Sequence, residues 1–182
     1  MTNDQWEAVR RQLYGDAGVY CLVLWLPRAC SITLSRKGSC RLERGWYVYT
    51  GSAKRNLLPR LMRHLRRRKT LHWHIDHLRA VASLRQIWIR PWTAGEECRT
   101  NTMVRRMPEA ACPVKGFGAS DCRCVAHLIS FLSEPTPPDH RRPSAYLVRR
   151  EQISADRLAE SLRRAASPPV KTHPAKRSRV LS

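Results

Sequence analysis

The chain has 182 residues, 34 of them Lys or Arg against 14 Asp or Glu, a formal net charge of +20 at pH 7. That excess excludes the near-neutral surface of an ordinary metabolic enzyme and points to a polyanionic partner, because neutralising phosphates releases their condensed counterions. At 42% hydrophobic the chain can also bury a core, so it is one modest domain with something added rather than a disordered basic tail.

Taken in chain order, Asp4 to Leu13 reads as a short amphipathic helix ending near Gly15. From Gly18 the run GVYCLVLWL has the β-branched and aromatic content of a strand, and Pro27 separates it from a second short run, Ser31 to Leu34. In the strand GWYVYTG, Tyr47 and Tyr49 fall on one face and Trp46, Val48 and Thr50 on the other. These strands are expected to share one small antiparallel sheet. After Gly51 the period lengthens to three or four: Asn56 is placed to cap a helix running to about Lys69, with Pro59 in its first turn. Leu57, Leu58, Leu61, Met62 and Leu65 make one arc of that helix, and Arg60, Arg63, His64 and Arg67 the opposite one. A helix from His72 to about Val81 follows, then a strand LRQIWIR, a helix from Glu96 to about Met107, the loop CPVKGFGASDCRC and a strand-like HLISFL.

The expected fold is therefore α/β in the α+β sense, a small mainly antiparallel sheet flanked by helices. Residues 1–16 form a helical appendage, 17–133 the domain, and 134–182 a Pro/Arg-rich tail with one short helix near Glu151 to Ala165. The folded part holds 23 Lys or Arg against 9 acidic residues, and the tail 11 against 5, so most of the excess belongs to the domain. No run of about 18 apolar residues occurs and MTNDQWEAVRRQ is polar, so the expectation is a cytoplasmic chain with no membrane partner. Seven cysteines in such a chain read as reduced thiols or metal ligands rather than a disulfide framework.

Gly18-Val19-Tyr20 and Tyr49-Thr50-Gly51 stand one hairpin apart, and Arg60 and His64 follow on the next helix, with a glutamate opening a later one. In that order they resemble the GIY-YIG nuclease superfamily, YTGSAKRNLLPRLMRH matching its strand, turn and Arg-bearing helix. LHWHIDHL and GFGASDCRCVAHL resemble a branch of small stand-alone members, the Uri-type endonucleases. The resemblance spans about residues 17 to 132.

Phosphodiester hydrolysis needs a base for water, a cation against the developing charge and support for the leaving oxygen. The resemblance implies Tyr20 as general base, Tyr49 as the second hydroxyl, Arg60 on the scissile phosphate and His64 positioning water or phosphate. The eight positive residues from Lys54 to Lys69, with no acidic one among them, are beyond what salt bridging within the segment explains; Lys54, Arg63, Arg67 and Arg68 are read as contacts to the nucleic-acid backbone. Mg²⁺, with Mn²⁺ as a substitute, takes hard oxygen. Glu96 and Glu97 border the same arc, so the wheel does not separate them; the resemblance favours Glu97 as the metal ligand.

His72, His74 and His77 do not share one helix face, which argues against zinc there and leaves His72 or His74 at the mouth of the site, with Trp73 and Ile75 packing. Cys98, Cys112, Cys122, Cys124 and His127 are zinc-type ligands, but their spacing fits no standard finger, so small buried cysteines are the favoured reading and structural zinc the lesser one. The sequence thus points to a metal-dependent endonuclease acting on nucleic acid, DNA first, with no small-molecule organic cofactor. The alternatives are a non-catalytic nucleic-acid-binding module on the same fold and a zinc-stabilised adaptor.

Overall fold

The computed structural model describes residues 17–34, 38–66, 69–138 and 146–149. Strand β1 (Gly18–Leu26) is central, antiparallel to β4 (Gly45–Ala53) on one side and to β5 (Ser83–Pro91) on the other. β6 (Leu128–Phe131) pairs outside β4 and β7 (Tyr146–Arg149) outside β5, giving an antiparallel sheet of order β6-β4-β1-β5-β7. The mainly antiparallel α+β fold expected from the sequence is the one observed.

β1 is buried on both faces, which is why it reads as an unbroken apolar run instead of an alternation. The two-residue period sends Tyr20, Leu22 and Leu24 to one core with Tyr47 and Ile87, and Cys21 and Val23 to a second core with Val48 and Trp88. Helices α1 (Leu57–Leu65) and α2 (His74–Val81) cover the first face through Leu57, Leu61, Ile75 and Leu78. Helix α3 (Glu96–Arg105) covers the second through Val104. Each fully buried Leu contributes roughly 1.5–3 kcal/mol relative to exposure.

Several expectations are corrected. The run at Ser31 to Leu34 lies in β2 (Cys30–Leu34), which leaves the main sheet and pairs with β3 (Gly38–Leu42) in a two-stranded ribbon. β3 was not anticipated: in GSCRL only Leu42 is buried, so no apolar alternation marks it. Asn56 sits at the cap position of α1 but in the left-handed region (φ 57°, ψ 44°), with no side-chain capping bond; its role is tolerance of that backbone. α1 stops at Leu65, one turn short of Lys69. The buried Arg79 of α2 donates to the carbonyls of His64 (2.9 Å), Leu65 (3.4 Å) and Ala82 (2.7 Å), satisfying helix-end acceptors that would otherwise favour another turn. The boundary at 133 also moves, since β7 lies inside the stretch read as tail and pairs with β5 from Gln86↔Arg149 to Ile89↔Tyr146. The helices expected at residues 4–13 and 151–165 lie outside the described residues. Among the described residues no helix is long and apolar enough to cross a membrane.

Candidate active site

Tyr20 near the start of β1 and Tyr49 at the middle of β4 point to the same face of the sheet, Tyr49 pairing with Leu22, two residues along from Tyr20. The register sets Gly51 directly opposite Tyr20, and the phenol lies across it: a Cβ at Gly51 would stand 2.8 Å from the Tyr20 hydroxyl oxygen. Tyr49 is flanked by Gly118, whose φ of +69° and closeness to the ring (2.8 Å from an added Cβ) both require glycine, and by the edge of Phe117. The glycines of YTG and GFG are therefore the space the two tyrosines occupy.

Around them opens a cleft of about 640 Å³. Its lining combines Tyr20, Tyr49, Arg60 from α1 and Glu97 from the first turn of α3 with the half-buried Ser52, Trp73 and His74; the exposed Lys54, Arg55, His72, Ser120 and Asp121 form its mouth. Of the residues singled out in the sequence, Tyr20, Tyr49, Arg60, Glu97, Lys54, His72 and His74 are brought together here. Arg67 and Arg68 lie outside the described residues.

His64 is a correction. It is fully buried and does not line the cleft; at i, i+4, i+7 it joins Leu57 and Leu61 on the inner side of α1, where a wheel scored by polarity misplaces it. Its Nε2 is 2.9 Å from the Tyr20 hydroxyl, a buried contact turned away from the cleft. Burial, reinforced by the charge of Lys69, pushes its imidazole down to about 3, and the ring stays neutral. Arg63 is a second correction. It is tied to Asp76 (2.8 Å) and to the carbonyl of Thr70 (2.9 Å), and Lys69 also pairs with Asp76 (2.7 Å). The acid missing from the basic segment is supplied by α2, so part of that charge is structural.

Glu96 and Glu97, equivalent on the helical wheel, separate in space. Glu96 is engaged by Arg90 (3.3 Å) and Arg99 (3.0 Å). Glu97 faces the cleft, one oxygen accepting from the hydroxyl of Ser52 and the other lying 3.0 Å from His127 Nδ1. Burial pushes its carboxyl up, but the hydrogen bonds from His127 and Ser52 and the charges of His127 and Arg60 outweigh this and hold it below its ordinary value. Each oxygen keeps a lone pair for a cation, which suits a hard divalent ion. Both tyrosines move the other way: burial raises their hydroxyls above the ordinary phenol value, against the pull of Arg60.

The sequence reading missed Arg55, Ser52 and the link from His127 to Glu97. Arg55 was visible as one more cation after the YTG turn; the other two depend on contacts across 45 and 30 residues that no local pattern carries. Trp73, expected to pack, does so, and its ring lies under the guanidinium groups of Arg60 (4.9 Å) and Arg63 (4.4 Å), fixing the direction of Arg60.

Behind Glu97 lies a second cluster. The ligand atoms of Cys98, Cys122, Cys124 and His127 all fall within 4.8 Å of one another, a set that could hold a metal ion such as zinc. Cys112 is exposed and outside it. The linear spacing that disfavoured zinc is irregular because the set joins a helix start to a loop.

The family described as "Domain of unknown function DUF123" matches residues 19–146. The chain belongs to the DUF123 family. No curated protein and no solved structure matches it. The matched DUF123 stretch runs from the second residue of β1 to the first of β7, so it contains Tyr20, Tyr49, Arg60 and Glu97 together with all four members of the cysteine-histidine cluster.

Proposed function

We propose that this DUF123 chain is a divalent-metal-dependent endonuclease that hydrolyses phosphodiester bonds in nucleic acid, DNA first, with a site of the GIY-YIG type. The supporting observation is that two tyrosines, an arginine and a carboxylate from four different elements line one cleft whose mouth carries Lys54, Arg55 and His72. The basic mouth draws the sugar-phosphate backbone without reading sequence. Arg60, steered by Trp73, presents its guanidinium to the scissile phosphate, where developing charge is greatest. Glu97 would hold Mg²⁺, which would supply positive charge against the charge that develops in the reaction.

The Tyr20 hydroxyl orients the attacking water; once Arg60 and a bound cation let it lose its own proton to solvent, the phenolate takes the water's proton as the water oxygen bonds to phosphorus, and the bond to the leaving oxygen breaks with that oxygen protonated from solvent. His64, neutral and buried, fixes that hydroxyl from behind. Because burial keeps the phenol protonated at neutral pH, Tyr20 works as a base only with Arg60 and the cation close by. The same protonated state favours the second reading, a nucleic-acid-binding module without turnover.

Supercoiled plasmid separates the two. Nicking is expected with Mg²⁺ or Mn²⁺ and none in EDTA, followed by gel electrophoresis. Tight binding with no nicking in either metal supports the binding module instead.

A further inference from the structure

We infer that Cys98, Cys122, Cys124 and His127 hold one structural zinc ion, and that this ion fixes His127 so that its Nδ1–H positions Glu97 in the cleft. The donor set is three thiols and one imidazole, the softness and number that tetrahedral zinc takes in closed sites with no position left for substrate. Zn–S bonds of about 2.3 Å put tetrahedral sulfurs about 3.8 Å apart. The four ligand atoms already lie within 4.8 Å of one another, and Cys122 Sγ is 3.3 Å from His127 Nε2, so the set closes on the ion with sub-ångström movements.

Burial separates these thiols from ordinary core cysteines. Cys21 is buried, and the half-buried Cys30 and Cys40 pack against the main core; Cys98, Cys122 and Cys124 are half-buried and belong to neither core, so core packing does not account for their convergence. The segment from Pro113 to His127 contains no helix or strand. Short backbone bonds inside it, Gly116 N–H to Val125 O (2.6 Å) and His127 N–H to Phe117 O (2.7 Å), and one to β4, Thr50 N–H to His127 O (2.9 Å), hold its ends, while the stretch carrying Cys122 and Cys124 makes no backbone bond of this kind among the described residues, and the segment must bring Phe117 to the core and Gly118 against Tyr49. A metal bond from Cys122 and Cys124 to Cys98 in the first turn of α3 fastens that loop to the helix carrying Glu97. Binding converts three thiols to thiolates and releases their protons, a site charge of −1 in a strongly basic chain.

His127 joins the two centres. Its Nε2 faces the sulfurs and its Nδ1 lies 3.0 Å from Glu97 Oε1. Zinc on Nε2 leaves the proton on Nδ1, the tautomer that donates to the carboxylate. His127 is then a positioning residue for Glu97. This second half rests on the nuclease reading, whereas the zinc site does not.

The full chain, purified without chelator, is expected to carry one zinc per molecule by metal analysis. Its cobalt-substituted form should show the intense visible bands of a tetrahedral thiolate site. Cys112→Ser should retain the zinc and Cys124→Ser lose most of it; should Cys124→Ser not fold, mercurial titration of the wild-type thiols should release one zinc per chain. A protein without zinc and without the cobalt bands, or a mass spectrum showing these cysteines joined in a disulfide, overturns the site. His127→Cys keeps four zinc ligands and removes the Nδ1–H: zinc content should hold while Mn²⁺ binding, read by electron paramagnetic resonance, weakens about 10- to 100-fold. Unchanged Mn²⁺ binding overturns the positioning role. A wild-type protein that holds zinc but binds no Mn²⁺ counts against Glu97 as the metal ligand of the proposed nuclease and leaves the zinc site standing.

Discussion

Tyr20→Phe is expected to lower cleavage by about 10²- to 10⁴-fold, the range a positioned general base supplies, while nucleic-acid binding changes little because the basic mouth is intact. The ring itself should stay in place, since Gly51 leaves it a flat bed and the core holds its edges. Removing the hydroxyl has a second consequence. His64 Nε2 loses its partner in a fully buried position, and its Nδ1 already has none. An additional buried polar atom without a hydrogen bond costs about 1–3 kcal/mol, so denaturant unfolding should show a loss of that size. A stability loss with unchanged cleavage would mean that the Tyr20–His64 pair is a core hydrogen bond and that another group activates water.

Asp76→Ala should give the largest stability effect, about 3–5 kcal/mol, because it strands buried positive charge. Asp76 is fully buried; Lys69 is 7% exposed and Arg63 27%. The carboxylate also accepts from the backbone N–H groups of His72 and Trp73 (3.0 Å each), so one side chain ties the end of α1, the chain leading to α2 and the first turn of α2. Burial alone pushes Asp76 up, but the bonds from Arg63, Lys69, Trp73 and His72 outweigh it and hold the carboxyl well below the usual carboxylate range. A depressed folded-state value gives stability that is fully present above the unfolded value of about 3.9 and drains away as pH falls towards the folded one. Urea unfolding of the wild type should therefore weaken steeply below about pH 4, and the Asp76→Ala protein should lack that part of the slope. Since Asp76 places His72 and Trp73, the variant should also loosen Arg60 and lower cleavage.

The sheet was readable because its determinants are local. β1, β4 and β5 carry long β-branched and aromatic runs, and the alternation in GWYVYTG gave the correct faces for Tyr47 and Val48. The tyrosine pair, Arg60 and Glu97 were readable from motif order, although only the fold separates Glu97 from Glu96: Arg90 on β5 occupies the latter. Polarity misled at His64 and Arg63. An imidazole can be buried neutral when a phenol meets it, and a guanidinium can be bound by an acid 13 residues away. β3 and β7 escaped notice because edge pairing draws on backbone groups more than on side-chain pattern. The cysteine-histidine cluster was visible as residue types but not as a site, because its members come from a helix and a loop 24 residues apart.

The most direct test compares wild type with Glu97→Gln on end-labelled duplex, branched and single-stranded DNA and on RNA, in Mg²⁺, with binding and cleavage scored on the same substrates. Loss of about 3 kcal/mol of charge stabilisation corresponds to roughly 10²-fold in rate. The wild type should cut at least one substrate, and Glu97→Gln should bind that substrate with similar affinity while cutting it at least about 10²-fold more slowly. Undiminished cleavage by Glu97→Gln, or binding of every substrate by the wild type with cleavage of none, would contradict the account.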